Sequence, residues 1–209
     1  MNRDSVELEF KWAVGRPSEG AAFLRAVAAC GGRAGKPAGV TNRDYYFDTA
    51  EGSLQAAMAT ARIRFAGKRA ELHIKTSSRL KGGLARRKEM VTGLPGAKTP
   101  SAALTAAKQF LPPELELRGE PRFIFRIVNR RIARNISFPG GILAEAVFDN
   151  IKIYAAGRII CMREIELELL KGNASRFEIL CRRLTDAGGL RPAVMSKVAT
   201  ARTALEYFK

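Results

Sequence analysis

In the stretch VELEFKWAV, residues 6 to 14, Glu7, Glu9 and Lys11 alternate with Leu8, Phe10 and Trp12. A strand here carries two carboxylates and an ammonium on one face. The pattern recurs along the chain. Arg62 and Arg64 share a face in RIRF, as do Glu71, His73 and Lys75 in ELHIK and Glu164, Glu166 and Glu168 in REIELELL; in AEAVFD, Glu145 aligns with Asp149 across Val147. On any one strand this is the ordinary solvated face of a half-buried antiparallel sheet. Several strands whose rows are each of one sign repel one another unless opposite charge answers them. A closed antiparallel barrel with a polar lumen supplies that answer, because one face of every strand looks inward while the other packs against helices outside. A lumen with both guanidinium groups and carboxylates suits a polyphosphate bound with a divalent cation: arginine forks and lysines meet phosphate oxygens, and carboxylates hold Mg²⁺ or Mn²⁺. Clustering of this kind predicts raised pKa values for some of the glutamates before a cation binds.

The elements that must position these residues are mostly strands. Strands are predicted near 5–14, 42–48, 59–67, 70–76, 86–92, 122–137, 142–149, 151–155 and 160–170, several joined by short turns such as AGKR at 66–69 and SFPGGIL at 137–143. Tight links of this kind require antiparallel order. Four helices are predicted. The first begins at Ser18 as N-cap and stops at Gly31 and Gly32; the second runs from Ser101 to Leu111 and is halted by Pro112 and Pro113; NASRFEILCRRLTDAGG and SKVATARTALEYF form the last two. The Gly-bearing basic stretch SSRLKGGLARRK, 77–88, reads as a solvated loop, with closure over a bound ligand as its functional alternative.

Composition bounds the chemistry. With 209 residues, 46% hydrophobic and 27% charged, the expectation is one domain over 1–209. His73 is the only histidine, which removes most Ser-His-Asp, Cys-His and His-ligated zinc schemes. Phosphate-loop, dinucleotide-binding and nucleophile-elbow signatures are absent. Cys30, Cys161 and Cys181 lack metal or disulfide spacing and read as inert core thiols, and Tyr45 and Tyr46 read as packing residues. No apolar run is long enough to span a bilayer and the start has no export pattern, so a cytoplasmic protein without a membrane partner is expected. The formal charge of +16 points to polyanions, but aromatics are only 8% and do not interleave with basic residues as a base-stacking platform would.

Taken in order, these motifs resemble those of the CYTH family, the triphosphate tunnel metalloenzymes. ELEFK is similar to the family's N-terminal ExExK motif, RDYYFDT to its tyrosine and Asp-Thr segment, and ARIR to its paired-arginine strand. HIK, ARRKE, FRIVNRR, EAVFD, REIELEL and MSKVATAR follow in the family's order. The resemblance implies an α+β fold, mainly antiparallel, with an eight-stranded barrel and flanking helices. It implies that Glu7, Glu9, Glu164 and Glu166 hold Mg²⁺ or Mn²⁺ with Glu145 and Asp149 as helpers, and that Lys11, Arg62, Arg64, Lys75, Arg87, Arg126 or Arg130, and Lys197 grip phosphates. Arg86 competes with Arg87 for one position, and Arg131 with Arg126 and Arg130 for another. Glu7, Glu9, Lys11 and Glu166 are implied at the reacting centre. The activity implied is metal-dependent hydrolysis of a small triphosphate, inorganic triphosphate first. Cyclisation of ATP and non-catalytic polyphosphate or RNA binding are the alternatives. The residues assigned to the tunnel nearly cancel in charge, so most of the basic excess lies elsewhere and offers nonspecific polyanion binding. The oligomeric state is left open, a homodimer included.

Overall fold

Eight strands close into a ring in the computed structural model, which describes residues 3–76, 80–115 and 117–208. The elements in chain order are β1 (Arg3–Ala13), α1 (Ser18–Ala29), β2 (Arg33–Ala34), β3 (Ala38–Asp48), α2 (Ser53–Ala56), β4 (Ala59–Ala66), β5 (Arg69–Thr76), β6 (Leu84–Gly93), α3 (Pro100–Ala107), β7 (Arg122–Phe138), β8 (Ile142–Ala155), β9 (Arg158–Lys171), α4 (Ala174–Gly188), β10 (Arg191–Pro192) and α5 (Lys197–Tyr207). Neighbours run β1, β6, β5, β4, β3, β7, β8, β9, and β9 pairs again with β1; every pairing is antiparallel. The two shortest strands lie off the ring, β2 on β7 and β10 on β1.

The predicted alternation sets the inside and outside. Leu8, Phe10 and Trp12 of β1 and Ile165 and Leu167 of β9 point outward into a core shared with α1 and α4, where Phe23, Phe177 and Leu184 are fully buried. Each such large side chain contributes about 1.5–3 kcal/mol of burial. On the opposite wall Ile63, Leu72 and Ile74 pack with α2 and α3. The remaining helix lies differently. Ala201 and Ala204 of α5 pack on Phe125, Ile127, Ile151 and Ile153, residues of inward parity on β7 and β8. One part of the barrel interior is therefore filled by a helix, and the charged cavity occupies the rest.

Several sequence expectations shift in detail. The strands expected at 142–149 and 151–155 are one continuous β8, because Asn150 keeps the ladder by pairing with Arg130 and Arg163. Pro17, rather than Ser18, precedes α1, and the Glu19 carboxylate accepts hydrogen bonds from the Gly15 and Arg16 amides instead of a serine cap. α4 and α5 do have side-chain caps: Asn173 and Ser196 each accept from an amide three residues on. Of the stretch read as a basic loop, Ser77, Ser78 and Arg79 lie outside the described residues, while Leu84 to Lys88 belong to β6. Gly83 makes that strand entry feasible. Its φ is +87°, and a Cβ there would lie 2.8 Å from the Lys11 carbonyl oxygen. Cys181 is buried in the outer core, but Cys161 is exposed on the barrel wall rather than in a core. Among the described residues no helix is long and apolar enough to cross a membrane.

Candidate active site: the charged half of the barrel

Inward positions of β1, β3, β4, β5, β6, β7 and β9, together with α2 and α5, line a cavity of ≈ 810 Å³. Most charges that face one another across strands are of opposite sign. Glu7 lies opposite Arg87, Lys11 opposite Glu166, Arg64 opposite Asp44, Lys75 opposite Glu89, and Arg131 opposite Asp149. This is how the rows avoid the repulsion expected of them. The exceptions are Asp149, which lies opposite Glu164, and Glu9, Glu168 and Glu145, which form one continuous acidic row across three strands.

Three carboxylates converge at the start of α5. Ligand oxygens of Asp149, Glu164 and Glu166 lie within 4.8 Å of one another. The Lys197 ammonium donates to all three, at 3.2, 2.6 and 3.0 Å respectively. Arg131 adds a fork onto Asp149 (2.9 and 2.8 Å) and a bond to Glu166 (2.8 Å), and Lys11 also donates to Glu166. Burial opposes ionisation of Glu166, but Lys11, Lys197 and Arg131 outweigh it and hold its carboxyl well below the ordinary value. Glu164 goes the other way: burial exceeds the help of Lys197 and Lys11, so its pKa is raised. Among the described residues its buried Oε2 has no hydrogen-bond partner. An all-oxygen set with one oxygen unanswered fits a hard divalent cation.

Glu7 and Glu9 stand apart from that triad, held by cations. Glu7 accepts from Lys75 (2.6 Å) and Arg87 (3.1 Å), which outweigh burial and lower its pKa, while Glu9 is paired with Arg87 and with Lys11 (3.1 Å). On the basic wall Arg64 makes a two-bond fork to Asp44 (2.7 and 2.8 Å), and Arg62 reaches the Tyr46 hydroxyl at 3.0 Å and Asp44 at 3.4 Å. Asp44 is buried, but Arg62 and Arg64 keep it ionised. His73 lies 3.0 Å from Glu89 and 3.2 Å from Glu71; burial lowers its pKa and favours the neutral ring. At the cavity edge Asp48 accepts from the Leu54 and Gln55 amides at 2.9 and 3.1 Å, fixing α2 so that Gln55 and Met58 line the cavity. Met58 holds φ +52°, a left-handed backbone.

The structure brings together Glu7, Glu9, Lys11, Arg62, Arg64, Lys75, Arg87, Glu166 and Lys197 in this cavity, with Asp149 and Glu164 joined through Lys197. Arg86 lines it as well. Glu145 reaches it only through its ladder partner Glu168. Arg126 and Arg130 point away: both share the outward parity of β7, and the odd-numbered Arg131 turns inward in their place. Tyr46 is inward with its hydroxyl held by Arg62, whereas Tyr45 packs outside against Phe65 and Phe123. Glu89, the acidic residue of ARRKE, lines the site, and Asp44 completes it without having been singled out; the signal for Asp44 was the same alternation, Asp44 with Tyr46.

The acidic row has a testable consequence. Burial first, then the charges of Glu7, Glu89 and Glu145, push the Glu168 carboxyl up to about 7 despite Lys75 nearby. A carboxyl with a raised folded-state pKa binds more protons folded than unfolded between its unfolded and folded values. Stability is therefore lost as pH rises from about 4.5 to about 7. Thermal melts in chelator should show Glu168→Gln gaining on the unsubstituted protein as pH rises from 5 to 8. Parallel curves would show that Glu168 is not the group responsible.

The sequence profile of the CYTH domain matches residues 5–201. No curated protein sequence matches significantly. Among solved structures, a Hippeastrum protein proposed to be an adenylyl cyclase, whose dominant activity is that of a triphosphatase, superposes with TM-score 0.66 at 19% identity over 94% of this chain and 95% of its own. A Bacillus halodurans protein proposed to be an adenylate cyclase gives 0.63 at 17% over 93% and 95%, and the Pyrococcus horikoshii protein PH1819 gives 0.57 at 13% over 94% and 98%. At these identities the likeness is one of fold.

Proposed function

Because this chain belongs to the CYTH family, we propose that its barrel is a single tunnel domain that hydrolyses a small triphosphate, inorganic triphosphate before others, with Mg²⁺ or Mn²⁺. The observation that carries the proposal is the paired charge inside the barrel. Within the cavity carboxylates and cations pair with one another, and a triphosphate with a divalent cation offers both sets partners of the right sign. Guanidinium groups of Arg62, Arg64 and Arg87 and the ammonium of Lys75 then meet phosphate oxygens. Asp149, Glu164 and Glu166 would hold the cation, with Glu9 and Glu7 available as Arg87 turns to phosphate. Bound there, a divalent ion supplies positive charge at the phosphoryl oxygens and acidifies a water for attack.

The residues of this chain contribute mainly by position and charge, as phosphoryl transfer requires. Asp44 holds both arginines of β4 at fixed angles, so their forks are oriented before the ligand arrives. A glutamate of the late acidic row can take up the proton released by the attacking water. Hydrolysis is favoured over cyclisation by two points. The Hippeastrum protein of the same fold is dominantly a triphosphatase. Also, the inward tyrosine is already engaged: the ring of Tyr46 stacks on Phe125 at 4.5 Å and its hydroxyl is bound by Arg62, leaving it unavailable as a platform for adenine.

The test is to incubate the purified protein with triphosphate, ATP and thiamine triphosphate, in Mg²⁺, Mn²⁺ or chelator, and identify the products. Pyrophosphate and phosphate from inorganic triphosphate, only with metal, is the expected result. Cyclic AMP from ATP would replace hydrolysis with cyclisation, and no turnover under any condition would leave a binding protein.

A further inference from the structure

The outer face of β3, β7, β8 and β9 carries charge that the tunnel does not use. Its outward positions include Arg43, Arg126, Arg130, Arg134, Lys152 and Arg163, and among the described residues none of these forms an ion pair. They are neighbours in space. Thr41, Arg130, Asn150 and Arg163 form one cross-strand row, and Arg43, Val128, Lys152 and Cys161 form the next. Rows two residues apart lie about 7 Å from one another, and the four strands span about 14 Å. No Asp or Glu occupies an outward position on this face between 39 and 45, 126 and 134, 146 and 154, or 159 and 165. The helices do not cover it: Arg43, Arg130, Lys152 and Arg163 are exposed, and so are the apolar Ile132 and Ile159.

Beside the basic rows, at the α1 end of the sheet, lies a groove of ≈ 560 Å³. Val14, Pro17, Phe148 and Ile165 make it apolar, and Arg130 and Arg163 stand on its rim. At the far edge the Arg126 guanidinium lies over the Tyr154 ring, 4.2 Å from its centroid. A chain of phosphates alone would use the basic rows and leave the apolar groove empty. A lipid surface would want a flat or protruding apolar patch rather than a recess. Single-stranded nucleic acid uses both features, with its backbone along the cations and a base out of water in the recess.

We propose that this outer face is a docking surface for single-stranded nucleic acid, separate from the tunnel. The experiment measures anisotropy of a fluorescein-labelled 12-nucleotide strand with a 5′-hydroxyl, across a salt series. With three to five phosphates neutralised, the log–log salt slope should be about −2 to −3.5. The double variant Lys152→Gln/Arg163→Gln should bind at least about tenfold more weakly with a slope shallower by about 1.4. Both residues are exposed, so its melting temperature should not move. The matched variant Arg182→Gln/Arg183→Gln, on exposed positions of α4, removes the same charge elsewhere and should leave binding as it was. Equal weakening by the two double variants would overturn the proposal in favour of bulk charge. So would an abasic strand, inorganic polyphosphate or phosphatidylserine vesicles competing as well as the normal strand. Since the readout is binding of a strand without a triphosphate, it stands or falls independently of hydrolysis in the tunnel.

Discussion

Glu166→Gln should lower metal-dependent triphosphate turnover by about 10³-fold or more, equivalent to about 4 kcal/mol of transition-state stabilisation. The substitution keeps the shape of the side chain but removes the charge on which Lys11, Arg131 and Lys197 all converge. It also removes one ligand of the carboxylate triad. Because those three cations then face a neutral amide, the variant should lose some stability, so activity is to be measured where its melt shows it fully folded. Glu9→Gln, which leaves the triad intact but removes one of the two carboxylates paired with each of Lys11 and Arg87, should be as inactive at saturating metal. Turnover within about threefold of the unsubstituted protein in either variant would remove the acidic strands from the reaction. Weaker metal binding with Glu166→Gln but not with Glu9→Gln would assign the cation to the triad rather than to β1.

Lys197→Met should cost about 3–5 kcal/mol of folding stability in chelator, the loss expected when one partner of a buried ionic cluster is removed. The ammonium is nearly enclosed and, among the described residues, is the only group that touches Asp149, Glu164 and Glu166 together. Its position is unusual for a cation, since Lys197 is the first residue of α5, where the helix dipole favours negative charge. The carboxylates, and not the helix, hold it there. Resemblance alone gives Lys197 a phosphate; the structure puts its ammonium among the groups that would hold a divalent ion. Urea unfolding should therefore show a smaller deficit for Lys197→Met in millimolar Mn²⁺ than in chelator, because a cation bound only to the folded protein raises its stability. A deficit independent of metal, or no deficit at all, would mean that ammonium and metal do not share the triad.

The barrel and most of its lining could be read from the sequence because period-2 alternation is a local property, and each inward set on β1, β4, β5 and β9 lies within one short run. What the sequence left open were questions of parity and register. Arg126, Arg130 and Arg131 sit within six residues of one long strand, and only its pairing with β8, Arg131 facing Asp149, decides which one turns inward. The pairing of opposite signs across strands was equally hidden, since it depends on which row meets which. The burial of α5 inside the barrel could not be read either. Its apolar positions are those of any amphipathic helix, and nothing in them distinguishes the inner wall from the outer.

Closure of the ring by β1 and β9 also sets an order in time. The first strand made must wait for the last long strand before it gains its second neighbour: Lys11 and Glu166, which face each other in the finished wall, are 155 residues apart in sequence. Contacts of such separation are costly to form early, so folding should be slow, with one edge of β1 open until late. The carboxylates of β1 and β9 come together only at that final seam. The triad of Asp149, Glu164 and Glu166 can form within the β8–β9 pair alone, but Glu7, Glu9 and Lys11 join it only at that seam, so the charged cavity is complete only with the last pairing.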